Sequence, residues 1–198
     1  MSALFPATSM PDRDWWTALW PDPVNVLRQL GIRPDMTVLD LCCGDGYFTA
    51  PLAKLVAGKI YALDLDPTMI KKAKAEVARQ GASVLRWLTA DARQIAELVP
   101  EPVDYVLMAN TFHGVPDQAG LAHTVKAVLR PNGLFGILNW HVMLREQSIM
   151  LGEPRGPRTD MRMTPEAVAK IVEPAGFRRT DLVQLPPYHY AIIFECEV

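Results

Sequence analysis

The chain has 198 residues, 49% of them hydrophobic and 21% charged, which is enough apolar material for a sizeable core in one domain. A formal net charge of −2 supplies no global field to draw in nucleic acid or an anionic membrane surface, so a small-molecule partner is expected. Three cysteines, two of them adjacent, cannot build a secreted-type disulfide framework. No basic region leads into an apolar stretch at "MSALFPATSMPDRD", and nowhere do about eighteen apolar residues run together, so a cytoplasmic protein without a membrane span is expected.

In chain order, "DRDWWTALWPDPVNVLRQLGI" reads as one or two helices. Its Trp15, Trp16 and Trp20 form either a lid over a site or simply the buried face of a helix. Residues 1–24 are therefore set apart as a helical lid segment, and 25–198 as the main domain. "TVLDL" then reads as a strand running into the turn "CCGDG" and the amphipathic "YFTAPLAKLVA". The alternation continues through strand candidates "KIYALDL", "VLRWLTA", "VDYVLMA" and "GLFGILNW". Between them lie helix candidates "PTMIKKAKAEVARQ", closed by Gly81, "ARQIAELV", and "DQAGLAHTVKAVLR", stopped by Pro131-Asn132-Gly133. Apolar runs alternating with amphipathic segments predict βαβ units and a doubly wound, mostly parallel α/β sheet.

After Trp140 the rhythm changes. The stretch to Met163 shows no strand pattern, and its Gly/Pro/Arg-rich part from Gly152 to Arg162 reads as a mobile loop whose Arg155, Arg158 and Arg162 are either solvated or close over an anion. Thr164 followed by Pro165 marks a helix start. "FRRTDLVQL" and "YHYAIIFECEV", separated only by Pro186-Pro187, leave no room for a crossover helix and predict an antiparallel C-terminal hairpin, making seven strands in all.

The turn after the first strand carries the chemistry. A dinucleotide fingerprint needs a third glycine, but Gly44 and Gly46 are followed by Thr49, which disfavours a dinucleotide oxidoreductase. No Lys-Ser or Lys-Thr follows a suitable glycine, so a triphosphate loop is disfavoured too. There remains a sharp turn with Asp40 at the strand end, placed to hold the turn's amides or to touch a ligand. Asp64 closes the second strand, where a carboxylate can accept from both hydroxyls of a ribose. Asp91 follows the third strand, within reach of an adenine amino group, and Asn110 and Thr111 follow the fourth. Four successive strand ends thus point polar groups at one crevice.

These stretches resemble the class I S-adenosylmethionine-dependent methyltransferases. "VLDLCCGDG" is similar to that family's first motif, in a two-cysteine form like that of the ubiquinone and menaquinone biosynthesis branch. "YALDLDPTMI" resembles the second motif, "TADAR" the third, and "LRPNGLFGILNW" the signature after the fourth strand. The resemblance covers residues 25 to 195 and implies a Rossmann-like methyltransferase fold and S-adenosylmethionine as cofactor, leaving as S-adenosylhomocysteine. It carries cofactor contacts onto Asp40, Cys42, Gly44, Asp45, Gly46 and Tyr47, then Asp64, Leu65 and Met69, then Asp91, Ala92, Asn110 and Thr111. Cys42 stands where the family usually has glycine.

Adjacent cysteines do not chelate one metal readily, so no metal is expected. Cys42 and Cys43 read as small apolar packing, with a reactive thiol as the alternative. Asp66 either caps the helix that Pro67 begins or meets the ribose, and Met69 either covers an adenine or packs the core. Methyl transfer needs an in-line nucleophile and, where that nucleophile carries a proton, a base; His113 and His141 are the candidates. A quinone-ring carbon, a thiol or a metalloid could each be the acceptor. The branch favours the first, and a thiolate or metalloid would need no base. A binding module that holds the cofactor without turnover, acting through a partner, is the alternative to an enzyme, and a homodimer is one option for its assembly.

Overall fold

The computed structural model describes residues 13–197, so residues 1–12 of the expected lid segment lie outside the described residues. The chain opens with α1 (Arg13–Leu19) and α2 (Pro23–Gln29), and the alternation then runs as its pattern predicts. β1 (Val38–Leu41) leads to α3 (Thr49–Leu55), β2 (Ile60–Asp64) to α4 (Pro67–Arg79), and β3 (Arg86–Thr89) to the short α5 (Ile95–Leu98). β4 (Val103–Ala109), α6 (Gln118–Val128) and β5 (Leu129–Trp140) follow.

The helix starts are built from side chains that accept orphan amides. Asp66 accepts from the Thr68 amide at 2.7 Å, Asp117 from Gly120 at 2.8 Å and Thr164 from Ala167 at 3.1 Å. Pro67 and Pro165 stand just inside their helices, where a missing N–H matters least. The capping role weighed for Asp66 is therefore one the structure displays.

Beyond Trp140 the structure departs from expectation. A stretch without strand pattern forms a small hairpin, β6 (Ile149–Met150) with β7 (Glu153–Pro154), turned by Leu151 and Gly152, both at positive φ. With two residues per strand there is no alternation to read in the sequence. α7 (Pro165–Val172), β8 (Phe177–Leu185) and β9 (His189–Cys196) complete the chain, the last two as the expected antiparallel hairpin.

The seven long strands form one sheet in the order β3-β2-β1-β4-β5-β9-β8, parallel except for β9. Alternate residues serve opposite faces. Leu39 and Leu41 of β1 pack with Ile95, Leu121, Val125 and Val168 of α5, α6 and α7, whereas Val38 packs with Leu27 and Leu52 of α2 and α3. The result is three layers, α/β/α. β1 lies between β2 and β4, so the winding reverses there and a crevice opens beyond the carboxyl ends of these strands. Among the described residues no helix is long and apolar enough to cross a membrane.

Gly46 lets the turn after β1 sit directly on α4: its φ is +85, and a Cβ there would lie 2.7 Å from the Ala73 Cα. We expect Gly46→Ala to destabilise the fold by about 1–3 kcal/mol through overpacking and the left-handed backbone, read as a lowered urea midpoint. An unchanged midpoint would show that α4 can retreat freely.

Candidate active site

The turn after β1 depends on left-handed backbone, with Cys42 at φ 64, Gly44 at 54 and Gly46 at 85. Glycine adopts this region without strain, and Cys42 does so at some cost in energy. The Gly44 amide donates to Asp64 Oδ2 at 2.8 Å, and the Asp66 amide donates to Asp64 Oδ1 at 2.9 Å. Asp40, one of the two roles weighed for which was holding the turn, instead accepts from the Thr49 hydroxyl at 2.7 Å. Its side chain lies on the α3 face of β1, so the second strand's acid reaches the turn amides first.

Charge is distributed by burial. Desolvation pushes the Asp40 carboxyl up to about 7, against the Thr49 hydrogen bond, with the Asp64 charge adding to the push. Desolvation also raises Asp64 above the usual carboxylate range, against the amides of Asp66 and Gly44. Cys42 and Cys43 are raised by burial and by the same acids, so both are thiols, not thiolates, at neutral pH. This favours packing over reactivity for the pair.

A cavity of about 410 Å³ opens at the crevice. The glycine turn contributes Cys42, Gly44, Asp45 and Tyr47 to its walls, with Asp40 beneath. Asp64 and Leu65 come from the end of β2, and Met69 from α4. Asp91 and Ala92 follow β3, and Asn110, Thr111 and His113 follow β4. Two of the residues singled out in the sequence do not line it: Gly46 faces α4, and His141 sits beside Tyr190 with ring centroids 5.3 Å apart. Asp91 also caps the turn after β3 and is ion-paired with Arg93 at 2.5 Å, which lowers its pKa.

His113 is held in one protonation pattern. The Trp140 amide, which can only donate, lies 3.0 Å from Asn139 Oδ1, so this oxygen and not the amide nitrogen faces that way. The same oxygen is 3.1 Å from His113 Nδ1. An acceptor there requires Nδ1 to carry the proton, which leaves Nε2 with a bare lone pair. Nε2 is buried and has no hydrogen-bond partner. Burial holds the His113 pKa below the usual histidine value, opposed by the Asn139 hydrogen bond and helped by the Arg162 charge, so the ring is neutral at pH 7.

For the cavity's other wall the sequence offered the tryptophan segment and the Gly152–Arg162 stretch as covers, but not Trp140 or Phe48. Trp140, Phe48, Gly156 and Pro157 line it, as does Trp16, so the tryptophan helix both packs the core through Trp15 and roofs the site. The Gly152–Arg162 stretch is not a free loop. Arg162, only 6% exposed, donates to Ser148 Oγ at 2.7 Å and reaches the carbonyls of Pro157, Arg155 and His141. Its guanidinium lies 5.0 Å from the centre of the Trp140 ring. Arg158 pairs with Asp160 and Arg155 with Glu153. An arginine buried under its own loop leaves no signal in sequence, where it looks like any solvated charge.

The order of the strands and the crevice at their reversal define a class of protein: an α/β nucleotide-type binding fold with its site at the strand ends. Comparison with known proteins sharpens this. Residues 38–133 match the family model described as "Methyltransferase domain". A ubiquinone biosynthesis O-methyltransferase from Methylobacterium is 33% identical over 159 residues, 74% of this chain and 62% of that protein. A demethylmenaquinone methyltransferase from Geobacillus stearothermophilus is 28% identical over 112 residues, 56% and 47% of the two chains. An uncharacterised Mycobacterium bovis protein is 32% identical over 110 residues, of which this chain spans 39%. The chain therefore spans roughly half the length of these curated relatives. The crystal structure of an S-adenosylmethionine-dependent methyltransferase from Aquifex aeolicus superposes with a TM-score of 0.75 at 26% identity, covering 93% of each chain. Residues 38–133 thus resemble a methyltransferase domain, and the chain shares the fold of the S-adenosylmethionine-dependent Aquifex aeolicus enzyme.

If Arg162 anchors the loop, Arg162→Met will speed trypsin cleavage after Arg155 and Arg158 while leaving the global urea midpoint nearly unchanged. Equal cleavage rates in the two proteins would assign the anchoring elsewhere. Because Cys42 already occupies glycine-like backbone, Cys42→Gly is expected to keep S-adenosylhomocysteine affinity within about tenfold in calorimetry. Loss of activity with normal binding would restore a chemical role for the thiol.

Proposed function

We propose that the chain transfers a methyl group from S-adenosylmethionine to a small-molecule acceptor. One observation carries the reading: among the described residues the cavity walls hold five aspartates, Asp40, Asp45, Asp64, Asp66 and Asp91, and no lysine or arginine, and only Asp45 and Asp91 are ion-paired, with Arg13 and Arg93. Such a wall fits a ligand with an excess of positive charge and rejects a phosphate-bearing one. S-adenosylmethionine, with a sulfonium and an ammonium against one carboxylate, fits it. When bound, it supplies a methyl group already activated by the positive sulfur.

The chain's own residues divide the remaining work. Asp64 spends one lone pair of each oxygen on the amides of Gly44 and Asp66, leaving both oxygens able to accept from the ribose hydroxyls. Asn110 Oδ1, buried and without a partner, is an acceptor for the ammonium. Leu65, Met69 and Ala92 give apolar surface for the adenine, and Asp91 an acceptor for its amino group. His113 Nε2 is the base: its ring lines the cavity, which His141 does not, and the buried Nε2 becomes available to an acceptor by a small turn of that ring. The quinone methyltransferase names among the relatives support a small organic acceptor.

Calorimetric titration tests the reading. Asp64→Ala should weaken S-adenosylhomocysteine binding by about 1–3 kcal/mol, because two ribose hydroxyls lose an ionised acceptor. Unchanged affinity in a folded variant removes Asp64 from the ribose site. A pH series supplies a second check. A bound cation favours ionised Asp40, whose folded-state pKa of about 7 lies above its ordinary value, so binding expels a proton below that pH. Affinity for S-adenosylmethionine should therefore rise as pH rises through about 7 and level off above it. In Asp40→Asn that rise should be absent, and its persistence would place the titrating group elsewhere.

A further inference from the structure

We infer that Asn139 is a positioning residue that fixes His113 as a base, and that the acceptor this pair serves is an uncharged aromatic hydroxyl. The inference rests on the reading of the cavity as a methyl-donor site and extends it to the other substrate.

Asn139 is fully buried on β5 and does not itself line the cavity; its side chain meets the site through His113 and through the Trp140 amide. Its Oδ1 is anchored by the Trp140 amide of its own strand, so the amide cannot turn over without placing two donors face to face. That anchor selects the Nδ1–H tautomer and leaves Nε2 bare, the logic by which a buried acceptor orients a catalytic imidazole elsewhere. A bare, neutral imidazole is of use only to an acceptor that arrives with its proton. A thiolate or a metalloid lone pair would not need it.

The rest of the wall limits the acceptor further. Trp16, Tyr47 and Trp140 present aromatic surface, with Trp16 6.3 Å from Tyr47 and 6.1 Å from Trp140 between ring centroids. Gly156 permits the loop to lie against Trp140, since a Cβ there would be 2.7 Å from its ring. Among the described residues no lysine or arginine lines this side: Arg13, 5.6 Å from the centre of the Tyr47 ring, is paired with Asp45 and Glu76, and Arg162 lies over the Trp140 ring and spends its donors on Ser148 and backbone carbonyls. A carboxylate or phosphate on the acceptor would find no partner there. A flat, neutral ring would find surface for its faces, and its hydroxyl would find Nε2. The step balances: as the oxygen forms its bond to the methyl carbon, its proton passes to Nε2, the carbon–sulfur bond breaks with its electron pair going to sulfur, and the imidazolium returns the proton to solvent.

The test begins with ¹⁵N-histidine NMR of the protein saturated with S-adenosylhomocysteine, whose binding is first verified by calorimetry. Failure to bind overturns the cofactor reading itself, independently of the tautomer and acceptor measurements. In the bound protein His113 should show protonated Nδ1 and bare Nε2; Asn139→Leu should give a mixture of tautomers, and Asn139→Asp should restore the wild-type pattern. Addition of catechol or naphthol should shift the Nε2 resonance, whereas protocatechuate, which is catechol with a carboxylate, should not. With labelled S-adenosylmethionine, transfer to the catechol oxygen should fall by about tenfold or more in Asn139→Leu, with donor affinity unchanged and partial recovery in Asn139→Asp. An Nε2–H tautomer in the wild type, or a wild-type pattern in folded Asn139→Leu, would overturn the positioning role. Preference for protocatechuate, or no response to either neutral phenol, would overturn the acceptor class.

Discussion

The geometry of the site depends on one carboxylate. Asp64 takes the Gly44 amide on one oxygen and the Asp66 amide on the other, and so ties the turn after β1 to the start of α4. Two charge-assisted bonds in a half-buried place are each of order 1.5–3 kcal/mol, comparable with the strain of the left-handed residues they hold. The backbone adds its own restraints, with the Cys43 amide on the Leu63 carbonyl at 2.9 Å and the Gly46 amide on the Cys43 carbonyl at 3.1 Å. Asp64 therefore shapes the cradle before any ligand reaches it, and parallel pairing of β1 with β2 places it there.

The roof is held differently. Arg13 bridges from α1 to Asp45 of the turn at 3.3 Å and to Glu76 of α4 at 2.9 Å, while the Tyr47 hydroxyl donates to the carbonyls of Trp16 and Trp20. A third of the Arg13 side chain is exposed, so its ion pairs contribute at most about 1 kcal/mol each. Burying Trp15, Trp16 and Trp20 contributes several times more, on the order of 2–3 kcal/mol per large ring. Aromatic burial thus holds α1 on the domain, and the ion pairs set where its first turn sits. The same cluster encloses His189, 4.0 Å from Trp140 and 4.7 Å from Trp20 between ring centroids, with neither ring nitrogen hydrogen-bonded. Burial keeps that imidazole neutral, well below the ordinary pKa.

Features made by neighbours in sequence were legible before the structure. Asp66-Pro67 and Thr164-Pro165 open helices because the cap and the amide it accepts from lie within three residues of each other. The strand ends could be aligned because parallel strands joined by helices bring equivalent ends to one edge. What could not be read is made by residues far apart. Asn139 and His113 stand 26 positions apart and meet only because β4 and β5 pair in one register. Arg162 looks like a surface charge until the chain folds back over it, and a two-residue strand has no period. His113 and His141 were both candidates for the same reason: each follows a strand, and only the packing of Trp140 and Tyr190 separates them.

The two walls of the cavity differ in what they ask of a ligand, and the difference follows from the sheet's layout. Acids cluster at the ends of β1, β2 and β3, where turns expose backbone amides that need acceptors. Aromatic rings come from α1, from the end of the turn after β1 and from the end of β5, where Trp16, Tyr47, Phe48 and Trp140 pack α1 and the loop after β5 down. A positive ligand is drawn to the first wall, and its charge finds nothing to balance it on the second. On the proposed reading, a neutral nucleophile on the second wall would meet the cation with no lysine or arginine among the described lining residues to compete. Arg162 strengthens the division from behind Trp140. Burial does most to keep the His113 imidazole unprotonated, and the Arg162 charge adds to it, which is the state the proposed base needs.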